Sequence, residues 1–146
     1  IIHQSLGEMH MEASEYDSSY THFLRSIPIW IKHEETQQHL ETLSLLALAE
    51  LRGGQPEPAM EKVHELETIL GVLRLPIDEM VTSHWNLFNI YREREMEVEA
   101  DKYLDKAYNG LMILADNIKN VKDRDSFLNG VEKNRSIIES YKKKGE

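Results

Sequence analysis

Small residues recur along this chain at an interval of about 40 positions. Ser19, Ala59 and Ala100 are 40 and 41 residues apart, and each lies in a segment with helical periodicity. A recurrence at this period is typical of helical repeat arrays, in which a unit cannot bury its apolar face alone and stacks on its neighbours. The recurrence therefore predicts helix pairs in tandem, an architecture that usually binds other proteins and rarely carries out chemistry.

The apolar residues follow helical spacing almost throughout. They recur at i, i+3/i+4 and i+7, and the alternation typical of β-strands is missing. Turns are predicted at residues 53–56 and 75–78, and a left-handed helix stop is predicted at Asn129 and Gly130. Helices are expected at residues 16–31, 34–52, 56–73, 77–94, 98–118 and 131–143.

The three units share more than one small position. In each unit a leucine of the first helix is followed directly by the residue at which the repeat pattern expects a small side chain. Each unit also has small residues on its second helix, where they allow two helices to approach closely. The units contain Leu6, Gly7, Tyr16, Ser19 and Ser26, then Leu46, Ala47, Gly54, Ala59 and Leu66, then Leu87, Phe88, Tyr91, Ala100 and Ala107. This pattern resembles the tetratricopeptide repeat (TPR) family over residues 1–118.

The resemblance implies an all-α, TPR-like superhelical solenoid. About three helix pairs are expected at residues 1–33, 34–73 and 77–118, with a helical cap at 122–144, and residues 1–146 are expected to form one domain. The interval exceeds the 34 residues usual in the family, which implies longer helices. The third unit departs from the pattern, because Phe88 stands at a small-residue position and Glu95 at that of the turn glycine.

The C-terminal part carries a second resemblance. Residues 115–137 are similar to the ends of TPR regions in large bacterial multidomain signalling proteins, which join such arrays to ATPase, nucleotide-cyclase, kinase or DNA-binding output domains. The similarity implies a cytoplasmic, non-catalytic regulatory or scaffold module that binds a protein or peptide. Because Ile1 already lies within a predicted helix, we expect the chain to be a fragment of a longer protein.

Charge and composition exclude several other classes of protein. The net charge of −9 argues against general nucleic-acid binding, which needs a basic surface, and against binding to anionic membranes. The absence of cysteine excludes a disulfide framework and thiolate metal sites. No apolar run approaches the roughly 18 residues needed to span a bilayer.

The polar residues show no pattern of a catalytic, cofactor or metal site. His33 and His39 lack the i, i+3 or i+4 spacing of two ligands on one helix face, and no HExxH motif occurs. Gly53 and Gly54 are not followed by the Lys-Ser/Thr of a phosphate-binding loop. We expect no enzyme activity, no metal and no cofactor.

In the TPR family the first helix of each pair lines a concave surface, which implies a groove for a partner. The predicted contact residues are Glu8 and Met11 from the first pair, Ser44, Leu48 and Leu51 from the second, and Trp85, Asn89 and Arg92 from the third. In one interpretation Trp85 is an aromatic anchor, Asn89 binds peptide backbone and Arg92 binds an acidic group. In the other, Trp85 belongs to the core or is covered by the C-terminal helices.

Two other functions remain open on the sequence. A peptide-sensing receptor of the quorum-sensing TPR type requires a closed pocket with convergent polar groups. A homo-oligomerisation domain would use the apolar cluster around Trp30, and a homodimer would use Ile1 and Ile2 at the N-terminal end.

Overall fold

A computed structural model describes residues 36–146. This part of the chain is all-α, as predicted, and no strand occurs within it. The chain divides into two compact units, residues 1–73 and 74–146, and the boundary falls between the second and third predicted repeats. The predicted first pair, including Glu8, Met11 and Trp30, lies outside the described residues.

The helices begin and end close to the predicted positions. The first unit contains α1 (Thr36–Arg52) and α2 (Pro56–Val72). The second unit contains α3 (Ile77–Glu93), α4 (Glu97–Asp116), the short α5 (Val121–Asp125), a π-helical turn (Ser126–Gly130) and α6 (Glu132–Lys144). α1 and α2 are joined by a short turn and form a first hairpin, and α3 and α4 form a second hairpin in the same way. That these hairpins are repeats of a TPR-like array stays a prediction.

The turns of the two hairpins match residue for residue at an offset of 41. In the first, the amide of Gly54 donates to the carbonyl of Leu51 over 3.1 Å and that of Gln55 to Glu50 over 2.8 Å. In the second, the corresponding amides of Glu95 and Met96 donate to the carbonyls of Arg92 and Tyr91 over 3.0 and 2.9 Å. Gly54 and Glu95 both adopt positive φ, at 81° and 58°. Glu95 thus takes the left-handed conformation that the pattern reserves for glycine.

Burial follows the same offset. Ala59, Val63 and Leu66 are the buried residues of α2, and 41 positions later Ala100, Leu104 and Ala107 are buried in α4. Ala59 and Ala100, two of the three recurring small residues, therefore lie inside the hairpins, and Ser19 lies outside the described residues. The second hairpin has a further close approach, because a Cβ added to Gly110 would lie 2.7 Å from Cγ2 of Val81.

The core of the second unit includes the last helix. Val81, Ala107, Leu111 and Ile137 form a buried apolar cluster contributed by α3, α4 and α6. Other apolar residues pack around the cluster and are partly buried: Trp85, Tyr108, Leu114, Phe127, Leu128 and Ile138. The predicted helical cap at 122–144 is therefore an integral part of this core.

The predicted stop at Asn129 and Gly130 is wrong in its conformation. Glycine with positive φ occurs in the described residues only at Gly54, and the chain leaves α5 through the π-helical turn instead. Side chains of α6 satisfy the carbonyls of this turn, since Asn134 Nδ2 donates to Phe127 O over 2.9 Å and Arg135 donates to Asn129 O over 3.2 Å. These bonds replace those of a left-handed cap.

Candidate functional site

The second unit contains a cleft of about 650 Å³ between the ends of three helices. Its floor is apolar and its rim carries charges of both signs, a composition common in binding sites for small ligands and peptides. The lining residues are Phe88 and Arg92 from α3, Glu95 from the turn, Glu97, Ala100, Asp101 and Leu104 from α4, and Ser140, Lys143 and Lys144 from α6.

α3 and α6 are in contact near their beginnings. There, Lys133 Nζ donates to the hydroxyl of Thr82 over 2.7 Å, and Ile137 packs against Val81. Toward its end α6 is held by α4 instead, through the stacked rings of Tyr108 and Tyr141, whose centroids are 3.8 Å apart. The C-terminal halves of α3 and α6 therefore face each other across open space.

Arg92 is held in position at the rim of the cleft. Its guanidinium donates to Asn89 Oδ1 over 3.1 Å and lies 5.0 Å from the centroid of the Phe88 ring. Asn89 is itself fixed, because its Nδ2 donates to the carbonyl of Trp85 over 3.0 Å. A guanidinium fixed by a hydrogen bond and a cation–π contact loses less entropy when it binds an anion.

The two lysines of α6 differ in their availability. Lys144 forms an ion pair with Asp105, and this hydrogen bond raises the pKa of the ammonium above its ordinary value. Lys143 is exposed and forms no ion pair within 4.0 Å with any described residue. Lys143 and Arg92 are therefore the cations of the cleft that remain open to a ligand.

The structure divides the predicted contact residues into two sets. Ser44, Leu48 and Leu51 belong to the first unit. At the offset of 41 they correspond, in that order, to Trp85, Asn89 and Arg92 of the second unit. Their environments differ between the units.

Ser44 is buried, and its hydroxyl donates to the carbonyl of Leu40 over 3.0 Å. Leu48 and Leu51 are half-buried. The Ser44 hydroxyl is therefore engaged within its own helix, and the two leucines are the members of this set that retain apolar surface.

Trp85 combines features of both interpretations made from the sequence. It is half-buried, packs on the core cluster that contains Ile137, and stacks on Phe88 with ring centroids 5.1 Å apart. Trp85 does not line the cleft, but it supports Phe88, which does. Of the three predicted residues in this unit, only Arg92 lines the cleft itself.

Sequence reasoning did not find the residues contributed by α6 and by the turn. Ser140, Lys143 and Lys144 lie more than 45 positions after Arg92, and only the path of α6 back along α4 brings them to it. The signal that was present is the run from Lys142 to Lys144 in an otherwise acidic chain. Phe88 was singled out as a departure from the repeat, yet its ring forms part of the floor.

Two histidines outside the cleft have lowered pKa values. Burial, together with the charge of Lys106, lowers the pKa of His84 to about 4, and burial lowers that of His39. Both imidazoles are therefore neutral near pH 7. Within residues 36–146 no three His, Asp or Glu side chains are placed to hold a metal ion.

No helix in the described part of the chain is long and apolar enough to cross a membrane. Comparisons with protein-family models, with curated proteins and with solved structures found no match for this chain.

Proposed function

We propose that this chain is a non-catalytic protein-interaction module, and that the cleft of the second unit binds a peptide segment of a partner protein. The observation that carries the proposal is the cleft itself. It has a volume of about 650 Å³, and the apolar residues Phe88, Ala100 and Leu104 form its floor.

The arrangement favours binding over chemistry. Arg92 is fixed by Asn89 and Phe88, which suits recognition of an anionic group. The tandem hairpins and the resemblance to TPR regions of bacterial signalling proteins support a regulatory module in which partner binding is relayed to another part of a longer, cytoplasmic protein.

A receptor for a small peptide signal is the second candidate. It is favoured by the convergence of charges of both signs on one cleft, but the cleft is bordered by helix ends and a turn, which suits a segment that enters and leaves the site. A homo-oligomerisation role draws on residues outside the described part of the chain, and no observation on α1–α6 favours it.

The proposal is tested by blocking the cleft. Dodecapeptides from a random phage-displayed library are selected on the 146-residue chain, and the bound peptides are titrated against Ser140→Trp, which fills the cleft, and Glu139→Trp, which adds the same ring on the exposed face of α6. We expect Ser140→Trp to abolish binding and Glu139→Trp to leave it unchanged. A library that yields no binder, or binders indifferent to Ser140→Trp, overturns the proposal.

A further inference from the structure

We infer that the segment bound in the cleft is an internal stretch of a partner protein in which an apolar side chain is flanked by a carboxylate on one side and a basic side chain on the other. The inference rests on the proposed function and adds the chemistry and the polarity of the ligand. It follows from the way in which the cleft separates its charges by element.

The cations belong to the two helices that face each other. Arg92 lies in the last turn of α3 and Lys143 in the last turn of α6, and both line the cleft. Neither forms an ion pair within 4.0 Å among the described residues. Acidic residues nevertheless outnumber basic ones by 26 to 17 in the chain. A ligand carboxylate lying between them would receive charge-assisted hydrogen bonds from both walls.

The carboxylates belong to the turn and to the start of α4. Glu95, Glu97 and Asp101 line the cleft here, and the charge of Asp101 also contributes to the raised pKa of Lys144 on α6. The turn does not require a glutamate at position 95, because Gly54 makes the corresponding bonds in the first unit without the cost of a side chain at positive φ. The residue therefore adds a negative charge to this side at a conformational cost.

Three apolar residues complete the lining of the cleft. Phe88, Ala100 and Leu104 line the cleft and are only 5%, 3% and 2% exposed, and the Trp85 ring stacks on that of Phe88. An apolar side chain of the ligand would complete this surface while the flanking groups reach opposite charges. A polyanion such as nucleic acid meets three carboxylates in the same cleft, and a wholly acidic peptide meets the same repulsion.

The test uses the tightest peptide from the library selection as its probe. Each charged residue of the peptide is replaced by glutamine, and the affinities are measured against the intact chain and against Arg92→Gln, Lys143→Gln and Asp101→Asn. Arg94→Gln and Lys142→Gln serve as matched controls, because these cations lie next to the cleft residues in sequence but do not line the cleft. Circular dichroism verifies that every variant folds.

We expect Arg92→Gln and Lys143→Gln each to weaken binding by about fivefold or more, and the loss to vanish when the peptide carboxylate is already replaced. Asp101→Asn should show the same coupling with the basic residue of the peptide. The controls should change affinity by less than about twofold. Raising the salt concentration from about 0.05 M to about 0.5 M should weaken the binding of the original peptide to the intact chain. It should weaken the binding of the glutamine-substituted peptide to the Gln or Asn variants less.

The outcomes separate this inference from the proposed function. Some peptides could lose binding to Ser140→Trp but bind Arg92→Gln and Asp101→Asn as tightly as the intact chain. That result would support binding in the cleft and would overturn the inferred charges of the ligand. Selected peptides that carry only acidic residues, with no basic residue coupled to Asp101, also overturn it. Binding that ignores Ser140→Trp removes the proposed function and the inference with it.

Discussion

The two hairpins solve the same packing problem with different chemistry. In the first unit Lys62 of α2 pairs with Glu50 of α1 at 2.7 Å, and the Glu50 side chain is 1% exposed. At the corresponding positions of the second unit, Tyr103 of α4 stacks on Tyr91 of α3, with centroids 5.7 Å apart and planes within 7°. A helix–helix contact that is ionic in one hairpin is thus aromatic in the other.

The comparison shows what the repeat specifies and what it leaves free. The offset of 41 fixes the turn bonds and the small residues of the second helix, because these set how closely two helices approach. It does not fix the chemistry of the other contacts between the two helices, which are ionic at Glu50 and Lys62 and aromatic at Tyr91 and Tyr103. The second unit uses this freedom, and it is also the unit in which α6 adds a third wall and creates the cleft.

The two units also differ in their balance of acidic and basic residues. Residues 1–73 carry four Lys and Arg against twelve Asp and Glu, whereas residues 74–146 carry thirteen against fourteen. Almost all of the net charge of −9 therefore belongs to the first unit. The near-balance of the second unit is what permits a cleft with both signs on its rim.

The largest expected effect comes from breaking the ionic contact. Lys62→Met leaves the buried Glu50 carboxylate without its cation and should lower the free energy of unfolding by about 3 kcal/mol. The double variant Glu50→Tyr/Lys62→Tyr copies the aromatic contact of the second unit and should recover most of this loss. Urea denaturation measures both, and a Lys62→Met variant as stable as the original chain would contradict the comparison.

The next effect is a dependence of the free energy of unfolding on pH, which arises from His84 in the second unit and has no counterpart at Leu43 in the first. His84 corresponds to the buried Leu43, and its pKa of about 4 lies below the 6.5 of an unfolded histidine. Because the unfolded state binds the proton more tightly, the stabilising contribution is complete above pH 6.5 and declines as the pH falls toward 4.

His84→Leu, which copies the first unit, should remove about 2 kcal/mol of this acid sensitivity. His64→Leu is the control for loss of a histidine, because the His64 side chain is exposed. Thermal unfolding measured across the range from pH 7 to pH 4 compares the profiles. Parallel profiles for the original chain and His84→Leu would show that the imidazole is not the titrating group.

Exchanging the residue type at the positive-φ position of each turn should change the free energy of unfolding by smaller amounts and in opposite directions. Gly54→Ala places a side chain at φ 81° and should cost about 1 kcal/mol, although no atom lies within 4 Å of the new Cβ. Glu95→Gly relieves the same conformation in the second unit and should gain about 0.5 kcal/mol, since the added freedom of the unfolded chain offsets part of the relief. Denaturant midpoints measure the pair, and effects of equal sign would contradict equivalent turns.

The smallest effect concerns two glycines in the second helices. Gly71→Ala in α2 meets open space and should stabilise the helix by about 0.5 kcal/mol. Gly110→Ala in α4 gains the same propensity but forces Val81 to move, and should be destabilising by about 0.5 kcal/mol. Thermal unfolding of the two variants should shift in opposite directions, and a stabilised Gly110→Ala would show that Val81 yields without cost.

Much of the fold follows from residues near one another in sequence. Helix periodicity placed the hairpins at 34–73 and 77–118 within two residues of their observed ends, and Ala59 and Ala100 lie buried in the second helices. The Asn129–Gly130 stop could not be anticipated correctly, because the carbonyls it would cap are bonded by Asn134 and Arg135 from the next helix.

The site was only partly predictable, for the same reason. Arg92 was identified from its place on the first helix of a pair, and it does line the cleft. Its partners Ser140 and Lys143 depend on how α6 returns along α4, which is set by the Tyr108–Tyr141 stack and the bond between Lys133 and Thr82. No periodicity in the sequence encodes those contacts.

The central claim, that a partner binds in the cleft of the second unit, is tested most directly by backbone amide chemical-shift mapping of the chain with a selected peptide. The account predicts shifts concentrated at the end of α3, through Glu95 and Glu97, and along the last turns of α6, with α2 unaffected. Shifts confined to residues 1–73, or spread evenly over both units, would contradict it.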